Sequence, residues 1–271
     1  MITDDYSRRV VNYEEMHDIT KDQLEKFVEA ARISTGNIVL DAMAGYGTVT
    51  KTILRFAKKE RLDITVKMLD RSIEQLHRPE ASEIPGAVER IVCDMPRGLE
   101  QFGTMSVDRV LMKQGLYEVP KEEQARVITE IYRILKPKGI FVGWHINIDD
   151  KQDQTAFQEV IQRKDALAGY KELAARRYFF RVDELHHYLG EAGFCRIERL
   201  DHWEFSLDTK KVKAQEFSGK EEAWEEWCKF SDARLNIFYR IRRESGEKVV
   251  YHLGHQSIIR ATKRLKVAPY C

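Results

Sequence analysis

Residues 38–50, which read Ile-Val-Leu-Asp-Ala-Met-Ala-Gly-Tyr-Gly-Thr-Val-Thr, constrain this chain more than any other stretch. An apolar run ends in the carboxylate Asp41, a loop of small residues holds Gly45 and Gly47, and an amphipathic helix starts at once. The pattern predicts a strand, a tight turn and a helix N-terminus. Glycine lacks a Cβ, so it reaches φ > 0 and leaves room for a ligand against the main chain. The unpaired N–H groups of the helix start then face whatever occupies the turn.

Strands and helices alternate through the first two thirds of the sequence. Thr20 and Gln23 form a predicted capping box, opening a helix with Leu24, Phe27, Val28 and Ala31 on one face. Strands are expected at 38–40, at 64–69 ending in Asp70, at 90–93 ending in Asp94-Met95-Pro96, at 108–112 running into Lys113-Gln114-Gly115, and at 140–144. Ser72 and Gln75 suit a short helix start, and Pro120 suits the first turn of a helix burying Val127, Ile128, Ile131 and Leu135. Five strands separated by helices or long crossovers imply a mostly parallel sheet covered on both faces. Two more strands, near 196–200 and 255–261, bring the expected number to seven. An insertion over 208–254, with a helix bearing Trp224, Trp227 and Cys228, reads as a cap on the same domain. Ligands on such sheets sit beyond the carboxyl ends of the strands, where Asp41, Asp70, Asp94 and Lys113 all fall.

Charge narrows the function classes. The 45 basic and 44 acidic side chains leave a net charge of +1, which argues against a nucleic-acid partner. The basic run at 260–266 reads as the end of a solvated strand. No secretory signal is expected from the first residues, and no apolar run approaches the length of a membrane span. Cys93, Cys195, Cys228 and Cys271 are far apart and form no Cys-x-x-Cys pair, so reduced thiols, no metal and a cytoplasmic location are expected.

Asp70 lies somewhat more than twenty residues after the glycine turn, where a strand-end acid accepts hydrogen bonds from ribose hydroxyls. Nicotinamide dinucleotides favour a third glycine, but Thr50 stands at that position. The carboxylate of Asp41 would repel a pyrophosphate and attract a sulfonium or an α-amino group. The stretch from Val39 to Gly47 resembles the first motif of class I S-adenosylmethionine-dependent methyltransferases. Leu69-Asp70, Cys93-Asp94-Met95 and the run from Ile134 to Ile140 resemble their second-strand acid, adenine turn and fifth-strand turn.

The resemblance implies a Rossmann-like α/β fold, one domain over 1–271 with a cofactor-binding core at 20–200, and S-adenosylmethionine as cofactor. Asp41, Gly45 and Gly47 would hold the methionyl part, Asp70 the ribose, and Asp94 the adenine amino group with Met95 against the ring. The main chain at Lys113 and Gln114 would line the sulfonium. Met43-Ala44 departs from the Gly-Cys or Gly-Thr type pair of many relatives. Competing structural readings make Asp41 a helix cap, Asp70 a surface acid and Asp94 a turn-former.

The fourth-strand exit, Lys113-Gln114-Gly115-Leu116-Tyr117, lacks the Asn/Asp-Pro-Pro-Tyr/Phe pattern that resembles nucleobase amino-methyltransferases. A small-molecule acceptor is therefore expected, with oxygen or carbon methylated in preference to nitrogen. Tyr117 and His145, each just beyond a strand end, are the candidate bases. Tyr13 and His17, with Tyr6, precede the first helix, where resembling enzymes fold a lid, and are expected at the substrate. His187 of the His186-His187 pair should face solvent. All four tryptophans lie in the second half, as cap core, aromatic pocket or homodimer contact. An NAD-dependent oxidoreductase and a non-methylating binder of the same sulfonium cofactor stand as the alternatives.

Overall fold

Alternation of side chains along the strands divides the interior into two cores. In β1 (Ile38–Ala42), Val39 joins one apolar cluster and Leu40 the other. In β2 (Thr65–Asp70) Met68 and Leu69 divide the same way, as a sheet buried on both faces requires. The computed structural model describes residues 5–236, 241–243 and 249–264.

The N-terminal segment forms a short helix α1 (Tyr13–Met16) and then α2 (Lys21–Glu29). The capping box of α2 is present: Gln23 N donates to Thr20 Oγ1 at 3.2 Å, and Thr20 N donates to the Gln23 side chain at 2.8 Å. After β1 come α3 (Thr48–Glu60), β2, the short α4 (Ile73–Leu76) capped by Ser72, and β3 (Glu89–Val92). The chain continues through α5 (Arg97–Glu100), β4 (Val107–Lys113), α6 (Lys121–Ile134) and β5 (Leu135–Asn147). Two helices, α7 (Lys151–Ala168) and α8 (Lys171–Arg176), lead to α9 (Val182–Glu191) and β6 (Phe194–Asp208). The last part holds α10 (Thr209–Glu216), α11 (Glu221–Asn236), β7 (Ile241–Arg243) and β8 (Val249–Lys263).

The strand order is β3-β2-β1-β4-β5-β8-β6, with β7 paired to β8. The first five strands are parallel, and β8 runs antiparallel to β5, β6 and β7. From β1 the chain winds outward to β2 and β3, then returns to place β4 on the other side of β1. That reversal opens a crevice between the carboxyl ends of β1 and β4, where such sheets bind ligands.

The sheet has eight strands, one more than the sequence predicts. The extra strand is β7, three residues inside the expected insertion, where no alternation over so short a run marks it. Part of the 208–254 insertion lies outside the described residues; the rest is α10, α11, β7 and the start of β8. The strands expected at 196–200 and 255–261 extend to 15 residues each, carrying the sheet into the insertion. His187 is exposed, and Cys93, Cys195 and Cys228 are free thiols, whereas Cys271 lies outside the described residues. Among the described residues no helix is long and apolar enough to cross a membrane.

A buried ion cluster joins the N-terminal segment to the second half. Arg9 donates to Glu216 of α10 at 2.9 Å, and Lys164 of α7 bonds both Glu216 and Asp165. Arg177 donates to Asp165 at 2.6 Å and to Glu118 at 2.8 Å. Although burial opposes its ionisation, Arg9 and Lys164 hold the Glu216 carboxyl far below the usual range. Glu216→Ala leaves two buried cations short of a partner, so it should cost about 3–5 kcal/mol of unfolding free energy in urea titration. A loss below 1 kcal/mol would show that water or relaxation replaces the pair.

Candidate functional site

The turn after β1 is held by two strand-end carboxylates. Asp41, 1% exposed, accepts from Thr50 N at 2.9 Å and from Thr50 Oγ1 at 2.6 Å, fastening the first turn of α3. The threonine at the third glycine position of the dinucleotide pattern is thus the donor that orients this acid. Asp70 of β2 accepts from Gly45 N at 2.8 Å and from Ser72 N at 3.0 Å, with the Tyr6 hydroxyl at 3.5 Å. Burial pushes the Asp41 carboxyl up to about 7, against the lowering effect of the Thr50 bonds. Burial likewise pushes Asp70 up to about 6, against the bonds from Ser72 and Gly45.

The two glycines have different tasks. Gly45 sits at φ +54 with space beside it: an added Cβ would meet only the Tyr6 hydroxyl, at 3.8 Å. Gly47 sits at φ +80 against the core, where a Cβ would fall 2.2 Å from Ile84 Cδ1 and 2.9 Å from Met68 Cε. Gly45 therefore opens the backbone to the crevice, while Gly47 allows close packing and lines none of the cavities described below. Met43, at φ +59, packs onto Gly115, where a Cβ would lie 2.6 Å from the methionine sulfur. The Met43 departure is accommodated by the glycine after β4.

Three adjoining spaces follow the carboxyl edge of the sheet. A cleft of about 590 Å³, open to solvent, is bordered by Asp41, Gly45, Lys113, Gln114, Tyr13 and Tyr117, among others. A space of about 220 Å³ beside it holds Asp70, Asp94 and Met95, and shares Tyr6, Met43 and Glu118 with the cleft. A third space of about 370 Å³, also open to solvent, includes His17 and shares Tyr13 and Tyr117 with the cleft. The strand-end acids expected from sequence thus lie along one groove. Asp94, more exposed than the other two, receives Arg176 Nη2 at 2.7 Å.

Several side chains set the polarity of the groove. Lys113 lies 3.6 Å from Glu14, which also accepts from the Tyr46 hydroxyl; despite burial, these keep the Glu14 carboxyl below its usual range. Gln114, at φ +55, borders the cleft and donates its side-chain amide to Gln256 at 2.9 Å. Tyr117 stacks on Phe179 with ring centroids 4.7 Å apart, and burial raises its hydroxyl well above the usual range. Tyr13 accepts from Arg9 at 2.8 Å and is raised for the same reason. Both phenols are therefore neutral hydrogen-bonding groups. His17 is lowered to about 3 by burial and by the nearby Lys113 and Arg9 charges, and its Nδ1 has no partner.

His145 does not join this group. It borders none of the three spaces and is fully buried between Phe141 and Phe180, at centroid distances of 6.3 and 5.3 Å. Its ring folds back over Gly143, whose missing Cβ would otherwise sit 2.0 Å from Nε2. The strand expected to end at 144 runs on to Asn147, so His145 lies within β5 rather than beyond it; its ring turns back along the strand, and burial lowers it to about 3. The tryptophans also stay in the cores: Trp144 contacts Phe27 and Trp203, and Trp227 stacks with Phe217. Sequence reasoning missed Glu118, which borders two of the spaces, and the cations Arg9, Lys164 and Arg177, which no local pattern distinguishes from surface charge. Among the described residues no cluster of three or more His, Cys, Asp or Glu could hold a metal ion.

Residues 39–139 match the family model of a methyltransferase domain. The chain is 27% identical over 166 residues to 24-methylenesterol C-methyltransferase 3 of Arabidopsis thaliana, covering 58% of this chain and 44% of that protein. It is 31% identical over 115 residues to an uncharacterized methyltransferase of Synechocystis, covering 42% and 49% respectively. The chain thus spans about half the length, or less, of these curated relatives. The solved YcgJ protein of Bacillus subtilis superposes with a TM-score of 0.68 at 14% identity, covering 91% of this chain and all of that one.

The two glycines are separable by experiment. Gly47→Ala should lower stability by about 2–4 kcal/mol in urea unfolding, combining left-handed strain with overpacking. Gly45→Ala should cost about 1 kcal/mol, from strain alone. Equal losses would refute the packing role of Gly47.

Proposed function

We propose that this chain, which carries the methyltransferase domain and the fold of the class I S-adenosylmethionine-dependent methyltransferases, methylates a small molecule at oxygen or carbon. The observation that carries the reading is Asp41. Its carboxylate is buried at the cleft with only Thr50 as hydrogen-bond donor, while Lys113 is paired with Glu14. An acid raised to about 7 in such a place is stabilised by a cationic ligand and disfavours a diphosphate.

The residues present fit the sulfonium cofactor. Gly45 provides the open backbone for the methionyl end, and Asp70 retains lone pairs for ribose hydroxyls beyond its bonds to Gly45 and Ser72. Asp94 and Met95 border the space on the adenine side, and the main chain of Lys113 and Gln114 runs along the cleft. When bound, the cofactor supplies a methyl carbon that the acceptor's electron pair attacks in line as the carbon–sulfur bond breaks. Tyr13 and Tyr117, neutral and shared between the cleft and the third space, orient the acceptor. With His145 in the core, the proton of a hydroxyl or activated carbon acid has Glu118 and Glu14 as the carboxylates at hand. The likeness to a sterol C-methyltransferase supports carbon as one acceptor atom.

We read the chain as one domain. The insertion then serves as a cap, tied by Glu216 of α10 to Arg9 of the N-terminal segment.

Calorimetric titration should show S-adenosylhomocysteine binding with a Kd in the micromolar range and no comparable binding of NADH; tight NADH binding alone would overturn the reading. Asp41→Asn should weaken S-adenosylhomocysteine at least tenfold. The free Asp41 carboxyl titrates near 7 and its charged form attracts the ligand's ammonium, so protonation opposes binding. Affinity should therefore fall about tenfold as pH drops from 8 to 6, and Asp41→Asn should flatten that dependence. An affinity that rises on acidification would exclude Asp41 as the cation-binding group.

A further inference from the structure

We propose, on the premise that the cleft holds the sulfonium cofactor, that the adjoining solvent-open pocket of about 370 Å³ selects a small apolar acceptor bearing a carboxylate. Tyr13 and Tyr117 border both spaces, so a molecule lodged there is adjacent to the methyl donor. Its walls divide by chemistry. Met16, Ile161, Phe157, Phe179 and Phe205 make an apolar side suited to a hydrocarbon or aromatic body.

The charged part of the lining is cationic. Arg9, Lys164 and Arg177 border the cavity, whereas their carboxylate partners Asp165 and Glu216 do not. Those two acids are 0% and 2% exposed and lie behind the cations. Glu118 meets Arg177 from the side of the cleft. The cluster as a whole is balanced, three cations against three carboxylates, yet the charge bordering the cavity is all positive.

Two buried polar atoms also lack partners on side chains that border this space: the Nε–H of Arg177 and Nδ1 of His17. Arg177 is 6% exposed, so water does not freely satisfy its donor. A carboxylate is a multiple acceptor that matches a guanidinium. A cationic acceptor would enter against three like charges with no acid bordering the cavity, and a neutral carbonyl would meet the donor without the added strength of a charge-assisted bond.

The test uses the full chain and three probes of one shape: 4-phenylbutyrate, 4-phenylbutyramide and 4-phenylbutylamine, titrated calorimetrically with and without saturating S-adenosylhomocysteine. The acid should bind at least tenfold more tightly than the amide, and the amine should not bind measurably. His17→Phe and Phe205→Trp, which fill the cavity, should each weaken the acid at least tenfold while changing S-adenosylhomocysteine affinity less than twofold; that retained affinity shows the variants are folded. An amide or amine that equals the acid, an acid that does not bind, or filled variants that bind it normally would each overturn the proposal. Selective acid binding by a protein that fails to bind S-adenosylhomocysteine would instead refute the cofactor reading and preserve the anion selectivity of the cavity.

Discussion

The turn after β1 exists in its observed form because two buried carboxylates hold it from opposite sides. Asp70 takes the amide of Gly45, and Asp41 takes the amide and hydroxyl of Thr50. The left-handed conformation of Met43 costs conformational energy that such bonds must offset, whereas Gly45 and Gly47 adopt theirs freely. In return the backbone at Gly45 stays open while the chain at Gly47 packs hard against Ile84 and Met68. Crevice, sheet reversal and helix start all meet at this one turn.

Much of the architecture was legible in the sequence because its determinants are local. The capping box of Thr20 and Gln23, the cap at Ser72, and the apolar runs ending in Asp41 and Asp70 each depend on residues within a few positions. Strand ends on a parallel sheet share one edge, so the positions of Asp41, Asp70 and Asp94 along a common groove followed from order alone. Roles that depend on side-chain direction were not legible. His145 lies inside β5, which runs on to Asn147, and its ring fills the void over Gly143; the packing of Gly47 against Ile84 and Met68 has no local signature. The β7 strand exists only because β8 runs on beyond the end of β5 and offers a free edge. That is a tertiary fact with no local signature.

The ion cluster illustrates the same limit on a larger scale. Arg9, Lys164, Arg177 and Glu216 stand far apart in sequence among many other charges, and only the folded chain brings them out of water together. Such clusters add little net stability compared with apolar packing, because desolvation cancels most of the attraction. Their value lies in specificity: an N-terminal segment that must deliver Arg9 to Glu216 also delivers Tyr6, Tyr13 and His17 to the groove. Register at the cluster thereby sets geometry at the site.

Charge at the two ends of the groove has opposite character, and this links the site's parts into one device. Around Asp41 a carboxylate has only Thr50 as donor; at Arg177 the Nε–H lacks an acceptor, and Nδ1 of His17 lacks a partner. The paired charges Lys113–Glu14 and Arg177–Glu118 lie along the groove, and the Lys113 charge reaches as far as His17. Glu118 is the junction: it borders both the cleft and the space beside Asp70, and it holds Arg177.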